Sequence, residues 1–436
     1  MIKRRFFNFL ATALTFVFTF ISIDGAELFS ADSAEKLSGT DEEELIKNPD
    51  FSGSFGGLVW NIDGWDIGNF DYDNDTECIT AAKAGRVATT EVALSGGVYV
   101  MSAEAEALNG EAKISLFISE DSDTTEKVFT ITGRQTISFY FLGNEASSAK
   151  AGVKITELSA NGRVGVYSVS LKKATGSSSI ETEKGASIRT DTRDPGLRFR
   201  GRINKTLHDE LINLYGAENV EIGMIIVPKD FIEDGADFTA EALKGKSPLF
   251  IVAKKFNNET RAEEDGYYGF NCALTSIAPE NTDRKFAARA YIRCLDGATE
   301  KYAYAAYNEE KHCRSVYDVA TAAKENYDGE DDNSAEEAVI DAYLDKVEYL
   351  DLKVENFEGS APEFYSTLNF GKGVLKIVAG YSDLGVFKIT ENGKELSSVN
   401  GYYFTEGTGE LKITFVFYSV GLNVMQDVSV KFYHYE

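Results

Sequence analysis

Trp60 and Trp65 are the only tryptophans of the chain, and they lie beside and within a turn-rich stretch, NIDGWD, that also carries Asp63 and Asp66. A sugar ring has an apolar C–H face that stacks on an aromatic plane, while its hydroxyls need carboxylates or amides at the edge. Trp60, Asp63, Trp65 and Asp66 are therefore the candidate glycan contacts. Trp65 is the stronger of the two rings because an aspartate follows it. The competing expectation is that one or both indoles plug the end of a hydrophobic core.

A few residues on, Asp71, Asp73, Asp75 and Glu77 place carboxylates at every second position. Alternate side chains of an extended or looped backbone converge on one side, and Ca2+ takes about six to eight oxygens, so this run is a candidate structural calcium loop. It lacks the glycine and the distant glutamate of an EF-hand. A solvated acidic loop is the alternative reading.

Other chemistry is thinly supplied. Cys78, Cys272, Cys294 and Cys313 include no close pair of the kind zinc requires, and either one local disulfide or buried free thiols would suit them. His208, His312 and His434 lie far apart, and His312–Cys313 is the one adjacency. Nucleophile-elbow, zincin, P-loop and dinucleotide motifs are missing. Glycoside hydrolysis needs two facing carboxylates, and no pair stands out from the 70 acidic residues. A noncatalytic protein is expected, with a glycoside hydrolase as the minor alternative. The net charge of -26 repels nucleic acid and anionic membrane, and favours a neutral or cationic partner.

The export pattern sets the context. Lys3, Arg4 and Arg5 precede a mostly apolar run over 6–23 that closes in Gly25 and Ala26, the layout of a secretory signal. Asn8, Thr12, Thr15 and Thr19 interrupt the run, making it a poor permanent span. With 1–26 read as a signal peptide, the mature chain is expected to have no transmembrane span and to be secreted, extracellular or associated with the cell surface. About 410 residues remain, enough for two to four domains. With 29 Phe, 22 Tyr and only 6 Pro, they read as folded.

Residues 27–47 form a polar, acidic tail. Over 48–174, short runs of period two (98–105, 113–118, 128–131, 136–141 and 164–171) predict an antiparallel sandwich. A Gly/Ser-rich linker is expected at 175–187. Strand-like runs with a helix near each end, 205–215 and 315–326, make 188–327 an α+β domain. Gly216 is the stop of the first helix. An acidic linker with a short helix occupies 328–345. Alternation returns over 346–436, where Asn392-Gly393 marks a hairpin. The two strand-rich parts share a weak repeat, seen in TISFYFLG with VYSVSL and LKITFVFY with DVSVKFY.

These motifs resemble carbohydrate-binding modules of the jelly-roll, galactose-binding-like type. The first part offers Asn48-Pro49-Asp50-Phe51 with tryptophans soon after, the YVMSA strand at 99–103, and YSVSL at 167–171. The last part offers DVSV at 427–430, a weaker opening at 356–359, and no tryptophan. The middle part, with PGLRF at 195–199, DRKFAARAY at 283–291 and RSVY at 314–317, is similar to an uncharacterised domain of secreted Firmicutes proteins. Arg198, Arg289 and Arg314 are expected to form an ion-pair network with Asp283.

The expected fold is thus multidomain and mainly β: two antiparallel jelly-roll-like β-sandwiches flanking an α+β middle domain. The resemblance implies a secreted, noncatalytic protein that binds a neutral polysaccharide or cell-surface glycan through the aromatic and acidic loop. The competing expectation is a structural or adhesive scaffold that contacts surface proteins or the cell wall.

Overall fold

The computed structural model describes residues 43–51, 62–73, 75–120, 123–191, 193–233, 238–256, 266–326, 334–353, 356–357, 363–368, 372–379, 384–399, 402–407, 411–417 and 427–434. The expected signal peptide, most of the polar tail, and Trp60 lie outside these residues. Among the described residues, no helix is long and apolar enough to cross a membrane.

The chain is mainly β, with several distinct antiparallel sheets and a few helical segments. The first sheet has eight strands: β1 (Trp65–Asp66), β2 (Asp71–Asp73), β3 (Cys78–Ala81), β4 (Val87–Ala107), β5 (Ala112–Glu120), β6 (Asp123–Ile131), β7 (Arg134–Leu158) and β8 (Val164–Lys173). Its two long strands, β4 and β7, pair with each other along most of their length. Gly96 and Gly97, at φ 71° and 111°, together with a register shift between Val92 and Leu94, bend β4 midway. Positive φ is cheap only for glycine, so this pair sets where the sheet turns.

One half of the bent sheet runs β2-β3-β8-β4-β7, with β8 pairing to 99–107 of β4. The other half carries β5 and β6 on the far end of β7, where 112–120 pair with 149–158. The inward residues of both halves meet in one core, as Met101, Phe139 and Val169 join Leu116, Val153 and Ile155.

Residues 175–187 are not a featureless linker. A turn at Gly176–Ser178 leads into β9 (Ile180–Thr182), which pairs with β11 (Gly196–Asn204), as does β10 (Ser187–Arg189). Ile180 and Thr182 point into the protein and are buried, so alternation outweighs the polar composition of the stretch. β14 (Tyr267–Thr275) completes this sheet.

A second central sheet runs β13-β12-β15-β16, from β12 (Val220–Pro228), β13 (Leu249–Val252), β15 (Phe286–Asp296) and β16 (Thr299–Tyr304). β17 (Cys313–Arg314) pairs to β15. Helix α1 (Lys205–Tyr215) starts at Asn204, whose side chain accepts from the Leu207 amide at 3.1 Å, and stops at Gly216, φ 89°. α2 (Val316–Glu325) is capped by Ser315, and α3 (Ser334–Leu344) buries Ile340 and Tyr343 in the same core as Phe199 and Leu211. The helix expected inside an acidic linker therefore packs on the central sheets.

The last part holds two further sheets. One joins Val347–Lys353, Asp427–His434, Gly373–Ala379 and Tyr402–Thr405. The other joins Asn356–Phe357, Glu363–Leu368, Leu411–Phe417, Leu384–Glu391 and Lys394–Glu395. The hairpin falls at Asn392 and Gly393, both at positive φ.

Candidate functional site

Trp65 does not offer its ring to solvent. It is 2% exposed, its indole Nε1–H donates to the Asn48 carbonyl at 3.1 Å, and its ring meets that of Phe51 at 5.0 Å. The Asn-Pro-Asp-Phe opening and the tryptophan thus form a core plug. This corrects the expectation of a stacking platform at Trp65, because burying an indole removes more apolar area from water than any other side chain could there. Asp63 is exposed and pairs with Lys47 at 2.9 Å. Asp66 accepts the Gly68 amide at 3.0 Å, which closes a local turn.

The acidic run divides. Asp73 accepts the Asp75 amide at 3.1 Å, and Glu77 sits at φ 49° in the turn before β3. Among the described residues no group of three or more His, Cys, Asp or Glu side chains is placed to hold a metal ion. Asp71 and Asp73 pair across β2–β3 with Thr80 and Cys78 and share a sheet face with them.

That face is where chemistry collects. Thr80 is paired to Gly165 on β8, and Gly165 to Glu106 on β4. Paired residues of an antiparallel sheet share a face. The outward surface of β2-β3-β8-β4-β7 therefore carries Asp71, Asp73, Tyr167, Glu104, Glu106 and Arg134. Buried Met101, Ala103 and Ala105 alternate with outward Ser102, Glu104 and Glu106, which is why two carboxylates stand side by side on a central strand.

Tyr167 is the hub. Its hydroxyl donates to Glu106 Oε2 at 2.5 Å, and the Arg134 guanidinium lies over its ring, 3.8 Å from the centroid. Arg134 Nε also donates to Glu104 Oε1 at 2.8 Å. Glu106, by accepting the phenolic proton, holds Tyr167 up to about 12, so the hydroxyl stays protonated at neutral pH. Arg134 holds the Glu104 carboxyl below its ordinary value. On the β3 side, Arg163 Nη2 donates to Thr80 Oγ1 at 2.8 Å. Gly165 has no side chain and packs between Tyr167 and Cys78; a Cβ there would lie 3.4 Å from Cys78 Sγ and 3.6 Å from the Tyr167 ring.

The arrangement joins an aromatic ring, guanidinium donors and carboxylate acceptors in fixed orientation on a rigid sheet. Such a set pairs with hydroxyl groups of both donor and acceptor character. Glu104 and Glu106 lie beside each other on one strand and do not oppose one another across a cleft, so they lack the layout of a hydrolytic pair. Tyr167 lies in the YSVSL strand singled out above; Glu104, Glu106 and Arg134 were not singled out. Their signal is charge at outward positions of strands that are otherwise strongly apolar.

The remaining reactive groups are tied into packing. All four cysteines are free and buried. His312 Nδ1 accepts the Asn308 amide at 3.1 Å; burial pushes His312 down to about 4 and the neighbouring Cys313 thiol up. These directions oppose the formation of a thiolate–imidazolium pair. Of the residues expected in the arginine network, Arg289 donates to the carbonyls of Ala305 and Phe238, Arg314 to those of Glu310 and Cys313, and Arg198 to Ser187 Oγ. Asp283 accepts from Lys431 and, at 2.8 Å, from Tyr433.

No family model matches the chain, and no curated protein matches it. Among solved structures it is similar to a CBM4 structure at 13% identity and TM-score 0.23, over 29% of this chain and 98% of that one. It is also similar to the CBM36-1 domain of a multidomain xylanase from the hindgut metagenome of Trinervitermes trinervoides, at 11% identity and TM-score 0.23, over 31% and 99% of the two chains. The CBM22-1 xylan-binding domain from Paenibacillus barcinonensis matches at 12% identity and TM-score 0.25, over 32% and 100%. Likeness at this level assigns neither a family nor a ligand to this chain.

Proposed function

We propose that this is an exported, noncatalytic glycan-binding protein, and that the outward face of its first, jelly-roll-like sandwich binds a neutral polysaccharide. The observation that carries the reading is the Tyr167 cluster. Arg134, Glu104 and Glu106 fix an aromatic ring on a solvent-facing sheet, at positions where the core gains nothing from them. A polyanionic ligand is disfavoured because the cluster sets one guanidinium against two carboxylates and the chain as a whole is acidic, which leaves a neutral glycan as the favoured ligand. The leader pattern of residues 1–26 supports export.

Native gels containing soluble xylan, galactan or mixed-linkage glucan test the proposal. The full mature chain is expected to be retarded by at least one of them, and Tyr167→Ala to migrate freely in that gel. Free migration of the native chain through gels of all three, and silence on an array of neutral glycans, would refute it.

A further inference from the structure

The sheet β13-β12-β15-β16 has two unlike faces. One face, with Ile222, Met224, Ala290 and Ile292, is buried against the helices. The other follows from the register. Val252, Gly223, Tyr291 and Tyr304 form one cross-strand row; Glu221, Arg293 and Tyr302 form the next; Leu295 opposite Glu300 forms a third. Phe250, one position out on β13, shares this face. Ile232, Phe238 and Leu243 cover Ile225, Val227 and the fully buried Tyr291, with Tyr302 and Tyr304 packed partly exposed against the margin of that cluster.

Three of the exposed large hydrophobic side chains among the described residues lie here: Phe250 at 40%, Val252 at 42% and Leu295 at 38%. Tyr302 and Tyr304 stand parallel, 5.8 Å apart with 6° between their planes, and Phe250 meets Tyr291 edge-on at 5.5 Å. Between them runs a charge ladder. Arg293 donates to Glu221 at 2.8 Å and to Glu300 at 3.2 Å, while the Tyr302 hydroxyl donates to Glu300 at 3.1 Å.

The geometry points to a second saccharide-binding platform on this face, independent of the Tyr167 cluster, with Phe250 and Tyr302 as stacking rings and Arg293 and Glu300 as hydroxyl partners. Three spacings of about 4.8 Å separate the strand of Phe250 from that of Tyr302, so the platform spans about 14 Å and accommodates a short stretch of glycan chain. Arg293 is held between two carboxylates, which gives an ionic ligand little to gain, whereas hydroxyls can donate to Glu300 and accept from Arg293. A protein partner is disfavoured on area. A stable protein interface buries roughly 800 Å² per partner around an apolar centre, and among the described residues this face offers three large hydrophobic side chains, each less than half exposed.

Two platforms on one chain raise its apparent affinity for a polymer through effective concentration. The test uses the full mature chain in native gels containing soluble arabinoxylan, with thermal unfolding to check that each variant folds. Tyr302→Ala is expected to weaken retention about tenfold, Tyr302→Phe to leave it intact, and Tyr302→Ala combined with Tyr167→Ala to abolish it. Retention unchanged in both Tyr302→Ala and Phe250→Ala, with Tyr167→Ala still impaired, would overturn the second platform and leave the first standing. Loss in Tyr302→Ala with none in Tyr167→Ala would support this platform and remove the first. A native dimer that Phe250→Ala dissociates would show that the face meets a second copy, and would overturn the inference.

Discussion

The rings of Phe51 and Trp65 meet at 5.0 Å inside the first sandwich, and the indole N–H of Trp65 is satisfied by the Asn48 carbonyl. The aromatic pair and this hydrogen bond join others, such as the Val169 amide donating to the Pro49 carbonyl at 2.8 Å, in fastening the opening segment to the core. Trp65 is a stability residue. Trp65→Ala is expected to cost about 3–5 kcal/mol, the range for emptying an aromatic site in a packed core. Glycan affinity of the fraction that remains folded should not change, which denaturant unfolding and titration calorimetry can measure side by side.

His312 sets a pH dependence of stability. Buried beside the Asn308 amide, it takes a proton in the folded state only near pH 4, against an ordinary 6.5. Between those values the unfolded chain binds more protons, so this group's contribution is complete above 6.5, falls as pH drops toward 4, and is flat below. The separation is worth up to about 3 kcal/mol. His312→Gln should lose this part of the slope: the stability gap between variant and native chain narrows on acidification from pH 7 to pH 4. A gap of constant size in urea unfolding across that range would contradict the assignment.

Asp283 joins the central sheets to the strand Asp427–His434, through Lys431 and Tyr433. The carboxylate is only 13% exposed and its lysine 20%. Removing one partner of a largely buried pair leaves the other poorly compensated, so Asp283→Ala is expected to cost about 2 kcal/mol. Hydrogen exchange should speed up chiefly in the C-terminal strand. Uniform acceleration over the whole chain would argue for global destabilisation instead.

Much of this was legible from residue order alone. Alternation located runs within β4 to β8, Gly216 ended α1, and Asn392-Gly393 made its hairpin, because each depends on local backbone preference. The length of β4 and β7 was not legible. Gly96-Gly97 reads as punctuation between two strands, yet the ladder to β7 continues past it and the glycines only bend the sheet. Trp65 misled for a related reason. A tryptophan between aspartates suits a solvent-facing loop equally well as a core plug, and only the return of Phe51 to meet it decides. The Tyr167 cluster draws on β8, β4 and β7, so nothing in the spacing of residues 104, 106, 134 and 167 announces it. Tertiary pairing alone puts them together.

Calorimetric titration of Tyr167→Ala, against whichever neutral polysaccharide retards the native chain, probes the central claim most directly. The account predicts a loss of about tenfold or more in affinity, the effect of removing an anchoring ring worth at least about 1.4 kcal/mol, with little change in thermal midpoint. Native affinity in a folded Tyr167→Ala chain would contradict it.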